Sequence, residues 1–115
     1  MMVDDGDEPE LLLEALVRTS FEVIAVLTRT AAEHDLSLTQ LRALAILRDR
    51  EPTMAQLAEY LGLERSSVSG LMDRAERRGL VRRSTSSSDG RAVQVSLTTA
   101  GRRLAARLTD EVLGQ

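Results

Sequence analysis

Residues 57–83 read L-A-E-Y-L-G-L-E-R-S-S-V-S-G-L-M-D-R-A-E-R-R-G-L-V-R-R, and this stretch decides the fold. Leu57 and Leu61 lie four residues apart, so they share the inner face of a short helix through about Tyr60. Gly62 supplies a tight turn, and Leu63 is an apolar anchor. A second helix can begin at Glu64 or Arg65 and run to about Arg78, with Val68, Leu71, Met72 and Ala75 on one face. Ser66, Ser67, Gly70, Asp73, Arg74 and Arg77 project the other way, Ser69 lies at the margin, and Gly79 is placed to end the helix. A short helix, a glycine turn and a helix with a small, polar outer face are the parts of a helix-turn-helix. Small residues allow close approach to a major groove about 12 Å wide, and the first-turn N–H groups can meet a phosphate.

The flanks extend this unit. Upstream, Thr53 and Gln56 have the spacing of a capping box that starts the short helix. Downstream, 80–83 and 91–97 read as the arms of a hairpin, with Val93, Val95 and Leu97 alternating with Ala92, Gln94 and Ser96. The polar stretch 84–90 between them is its turn, and Gly90 gives the tip a permissive residue. Arg74, Arg77, Arg78, Arg82, Arg83 and Arg91 all fall within 74–91, a concentration of guanidinium groups that favours a polyanion. Thr98 or Thr99 can cap a last helix bearing Leu104, Leu108 and Val112 on one side.

Further upstream, Pro9 suits the first turn of a long helix, with Glu10 and Glu14 near its positive end. Leu12, Leu16, Val23, Leu27 and Ala31 make its stripe, and Leu13, Phe21, Ile24 and Val26 widen it beyond what one small core needs. Asp35 to Ser37 interrupts the pattern, after which Thr39 can cap a helix through Arg48 carrying Leu41, Leu44, Ala45 and Leu47 inward. The expected organisation is a flexible terminus over 1–8, a long helix over 9–36, a winged helix-turn-helix over 37–97 and a last helix over 98–115. The fold class is mainly α with a small β-hairpin wing.

Composition narrows the function classes. The 115 residues amount to one domain, with no cysteine and a single histidine. No disulfide or thiolate metal site can form, and neither a His-based triad nor a cofactor site is expected. There is no phosphate loop and no paired catalytic constellation, so an enzyme is not expected. No stretch is long enough to span a bilayer and the N-terminus is acidic, which points to the cytoplasm with no membrane partner. The net charge of −3 hides a division: residues 1–59 carry five basic and twelve acidic side chains, whereas residues 60–115 carry ten and six. The second part is therefore positive by four, and the negative first part by seven does not argue against nucleic acid.

The segment L-T-Q-L-R-A-L from Leu38, the stretch 57–83 and D-G-R-A-V-Q-V-S-L-T-T-A-G over 89–101 together resemble the MarR family of winged helix-turn-helix transcription regulators. The most discriminating element is D-x-R-x-x-x-x-x-L-T-x-x-G following D-R-x-E-x-x-G-L-V-x-R. The resemblance covers roughly residues 10–110 and implies a DNA-binding regulator, with repression as the default direction, acting on a pseudopalindromic promoter site of double-stranded DNA. It implies that Ser66, Ser67 and Ser69 lie on the recognition helix, that Arg74 holds the DNA backbone and that Arg91 reaches the minor groove. Asp89 would orient a wing arginine. Thr53, Arg65, Gly70, Arg77, Arg82 and Arg83 complete the expected contact set, with Asp89 and Gly90 as wing support. Gly70 stands where many relatives carry a larger polar or basic residue, so base readout is either weaker or rests on Arg65 and the serines. The resemblance also implies a homodimer, weakened where the sequence stops at Gln115, and release by a small anionic or phenolic effector. By the same resemblance the long helix over 9–36 contributes to dimerisation, and 98–115 is a partial C-terminal dimerisation helix. The competing expectation is a winged-helix protein-interaction module without specific DNA binding.

Overall fold

The structure is a computed structural model that describes residues 7–85 and 90–114. Its order is α1 (Glu8–Glu33), α2 (Leu38–Asp49), α3 (Met54–Leu61), α4 (Arg65–Arg77), β1 (Val81–Thr85), β2 (Val93–Leu97) and α5 (Thr99–Leu113). Local chemistry sets the boundaries. Pro9 sits in the first turn of α1, and Asp35 closes the turn after it with φ of 58°, a left-handed conformation that aspartate tolerates better than most residues. The cap of α2 is Ser37, not Thr39: the Ser37 hydroxyl accepts the Gln40 N–H at 3.1 Å and the Gln40 side chain accepts the Ser37 N–H at 2.7 Å. Only Ser37 has a glutamine three residues on; the same position relative to Thr39 is Arg42, which has no acceptor.

The core lies where α2, α3, α4, α5 and the hairpin converge. Leu57, Val68, Met72 and Val95 are its largest fully buried side chains, joined by Leu41, Leu44, Leu71, Leu97 and Leu108. The hairpin is antiparallel, pairing Val81 with Leu97, Arg83 with Val95 and Thr85 with Val93. Val93, expected on the covered face with Val95 and Leu97, is 38% exposed and lines an open concavity instead of the core. The segment before α3 adds to the free edge of β2: Val95 N–H donates to the Pro52 carbonyl at 2.9 Å, and Thr53 bridges Gln94. Thr98 joins hairpin to α5, since its hydroxyl donates to the Gly79 carbonyl at 2.6 Å and accepts the Gly101 N–H at 3.1 Å. A Cβ at Gly101 would overlap the Leu80 carbonyl oxygen, which explains a glycine in this first turn.

One element departs from this packing. The C-terminal end of α1 is anchored, with Ala31 fully buried and Leu27 against the core. Its N-terminal half presents Leu12, Leu16, Phe21 and Ile24 to solvent, each at least 44% exposed. The Cα radius of gyration is 17.8 Å over extents of 63 × 31 × 21 Å, against about 13 Å for a compact chain of this length.

Candidate nucleic-acid interface

The site is built on the α3–turn–α4 unit. At the start of α3 the capping box is complete: the Thr53 hydroxyl accepts the Gln56 N–H at 3.2 Å, and the Gln56 side chain accepts the Thr53 N–H at 2.9 Å. Gly62 ends α3 with φ of 69°, a conformation that L side chains adopt reluctantly, and thereby sets the angle at which α4 departs. Glu64 precedes α4 without a side-chain cap, so no acceptor from that residue occupies the first-turn N–H groups. Val68, Leu71, Met72 and Ala75 are buried as the periodicity requires, and Arg65, Ser66, Ser67, Ser69, Arg74 and Arg77 are exposed.

The expected contact residues do not form one uniform cluster. Thr53, Arg65 and Arg91 line a shared concavity of about 500 Å³ between the starts of α3 and α4 and the return arm of the wing. Gly90 and Arg91 are exposed at the wing, and Asp89 lies outside the described residues. Arg82 and Arg83 are separated by strand alternation. Arg83 shares the inner face with Val81, whereas Arg82 is exposed on the other face of β1.

Arg83 is therefore engaged within the protein. Its Nη2 donates to Asp73 at 2.7 Å and to Glu76 at 2.9 Å, and its guanidinium is one quarter exposed. Hydrogen bonding to Arg83 holds the Glu76 carboxyl below its ordinary value of 4.5, and the two carboxylates raise the Arg83 pKa. Arg83, expected among the DNA contacts, here joins the wing to the outer edge of α4. Arg78, exposed but also held within the chain, donates to the Asp35 and His34 carbonyls, each at 3.1 Å. The His34 ring nitrogen in turn lies 2.8 Å from Glu111 on α5. Gln94 was not expected in the site, yet its side-chain amide donates to the Glu51 carbonyl at 3.1 Å and steadies the approach to Thr53. Its outward position in the strand alternation was the available signal.

Gly70 is the least conventional position. It lies mid-helix with no positive φ, and a Cβ built there meets only Arg74 Nη1, at an ordinary 3.6 Å. Neither backbone nor packing among the described residues demands glycine, although it weakens a helix by about 0.8–1 kcal/mol relative to alanine.

Comparison with known proteins agrees with this geometry. The MarR family sequence model matches residues 34–92. The HTH-type transcriptional regulator PecS of Dickeya dadantii (strain 3937) is 31% identical over 108 residues, covering 90% of this chain and 65% of PecS. The chain spans 44% and 65% of the lengths of two curated relatives that it matches. Among solved structures, the transcriptional repressor CouR bound to a 23-mer DNA duplex superposes with a TM-score of 0.74 at 30% identity, covering 98% of this chain and 80% of CouR. NadR in complex with 4-hydroxyphenylacetate gives a TM-score of 0.78 at 25% identity, covering 85% of this chain and 70% of NadR.

Proposed function

This chain belongs to the MarR family, and on that premise we propose that it is a sequence-specific, double-stranded-DNA-binding transcription regulator acting as a repressor. The observation that carries the reading is the convergence of Thr53, Arg65 and Arg91 on one concavity beside the small, exposed outer face of α4. The helix enters a major groove through Ser66, Ser67 and Ser69, its uncapped N-terminus and Arg65 meet phosphate, and Arg91 reaches the flanking minor groove. Arg77 and Arg82 add positive potential, while Arg83 fixes the angle between wing and helix. Similarity to CouR, which was solved on duplex DNA, supports the assignment.

Two copies bind a pseudopalindromic promoter site, with the exposed apolar half of α1 as the surface that meets the second copy. Leu12, Leu16, Phe21 and Ile24 would otherwise stay in water, an arrangement that a soluble monomer has little reason to keep. A small anionic or phenolic effector fits the apolar cavity of about 180 Å³ between α1, α2 and α5, where Leu27, Leu44, Leu108 and Val112 supply the walls and Arg48 a cation. Its binding there shifts the population of helix arrangements away from the DNA-competent one. No helix among the described residues is long and apolar enough to cross a membrane.

Fluorescence anisotropy with promoter and random duplexes over a salt series tests the reading. Binding whose affinity falls linearly with salt on logarithmic axes is expected, and absence of binding to any duplex at low salt would overturn it.

A further inference from the structure

We propose that Arg74 reads a guanine in the major groove, across the gap that Gly70 leaves on the recognition helix, instead of clamping the DNA backbone. The inference rests on the DNA-binding reading above and deepens it by naming a specificity residue and the base it takes.

Three observations converge. At 100° per residue, Gly70 lies within about 30° of the direction opposite the buried face of α4, whereas Arg74 is rooted about 70° off it. From that flank an extended side chain would meet phosphate. The Arg74 guanidinium instead leans back over Gly70, with Nη1 at 3.6 Å from where a Cβ at position 70 would stand, so it sits towards the middle of the outer face. This direction follows from the tilt of helical side chains towards the N-terminus, which carries residue i+4 over residue i. Second, the guanidinium has no hydrogen bond or ion pair among the described residues, whereas Arg78 and Arg83 are both tied down. Its five donors remain for a ligand. Third, glycine at 70 is unfavourable for the helix and nothing in the packing requires it, while Ser66 and Ser67 beside it are short. A larger residue at 70 would occupy the place where the guanidinium lies. The planar fork of arginine matches guanine O6 and N7 bidentately in a fixed plane, whereas the lysine ammonium, a point charge on a flexible stem, reaches the same atoms without that rigid geometry.

The experiment is selection of bound duplexes from a random library by the full chain and by R74K and G70Q variants, followed by anisotropy on selected and random duplexes. Arg74→Lys keeps the charge at an exposed site, and Gly70→Gln fills the gap while leaving Arg74 in place. The wild type is expected to select a guanine at one fixed position of each half-site. Both variants are expected to weaken that preference, with roughly 10- to 100-fold weaker binding to the selected site and a clearly smaller loss on random duplex. Replacing that guanine by 7-deazaguanine should weaken the wild type more than it weakens Arg74→Lys. If the variants select the same bases as the wild type, or weaken selected and random duplexes alike, Arg74 is a backbone contact and the proposal fails while the regulator reading stands. Failure of the wild type to bind any duplex at low salt removes both.

Discussion

Helices α1 and α4 are both amphipathic, but their apolar faces meet opposite surroundings. Val68, Leu71, Met72 and Ala75 of α4 are buried against the rest of the chain, and its polar face is open. In the N-terminal half of α1 the apolar residues are the open ones, with Leu12 at 61% and Phe21 at 66% exposed. Periodicity identifies a face without identifying what covers it. For α4 the cover is intramolecular and the outer face is left for a polar ligand. For α1 the intramolecular cover ends near Leu27, and the second copy proposed above supplies the rest.

The contrast is broken most forcefully in the core. Met72→Ala should destabilise the chain by about 2–5 kcal/mol, because a fully buried side chain leaves a cavity under α4. Leu16→Ala, an equally apolar change on α1, should alter monomer stability by no more than about 0.5 kcal/mol. Its expected effect is a weaker dimer. Denaturant titration across protein concentrations, alongside sedimentation, distinguishes the two; comparable losses of monomer stability would mean that α1 packs within its own chain.

Much of this contrast is legible in the residues, and the exceptions have physical causes. The α3 cap, the Gly62 turn and the buried side of α4 follow from short-range spacing, and all three are as the spacing predicts. The arginine run is harder, because a count of guanidinium groups ignores direction. Alternation along β1 sends Arg83 inward to Asp73 and Glu76 and leaves Arg82 outside, while the end of α4 turns Arg78 onto the carbonyls of His34 and Asp35. Ser37 and Thr39 are equivalent as single capping residues, and only Gln40 distinguishes them. The role of Gly70 is invisible to a pattern of polar and apolar residues, since what matters is the neighbour that leans across it.

The brace between wing and α4 sharpens the comparison at smaller scale. Arg83→Ala should loosen the wing and lower DNA affinity, with a stability loss of about 1 kcal/mol or less because the pair is partly solvated. Its acid response has a definite sign. The Glu76 pKa is depressed in the folded state, so its contribution is fully present above the ordinary value of 4.5 and is lost as pH falls through the lower folded value. The protection factors of the wing amides, measured by NMR and corrected for the intrinsic pH dependence of exchange, should fall in that window, and Glu76→Gln should flatten the response. The smallest expected change is a gain. Gly70→Ala should stabilise α4 by up to about 1 kcal/mol by thermal unfolding, since the added methyl meets only Arg74 at ordinary distance.

Two arginines of equal charge in different places distinguish a DNA-binding face on α4 and the wing from a diffuse attraction to the whole chain. Arg91 shares the concavity with Thr53 and Arg65, whereas Arg48 lies between α2 and α5, donating to the Thr109 hydroxyl at 2.8 Å. Affinities of Arg91→Ala and Arg48→Ala for the selected duplex, measured at one salt concentration, should show the greater loss for Arg91→Ala. Equal losses, or a greater loss for Arg48→Ala, would contradict the assignment.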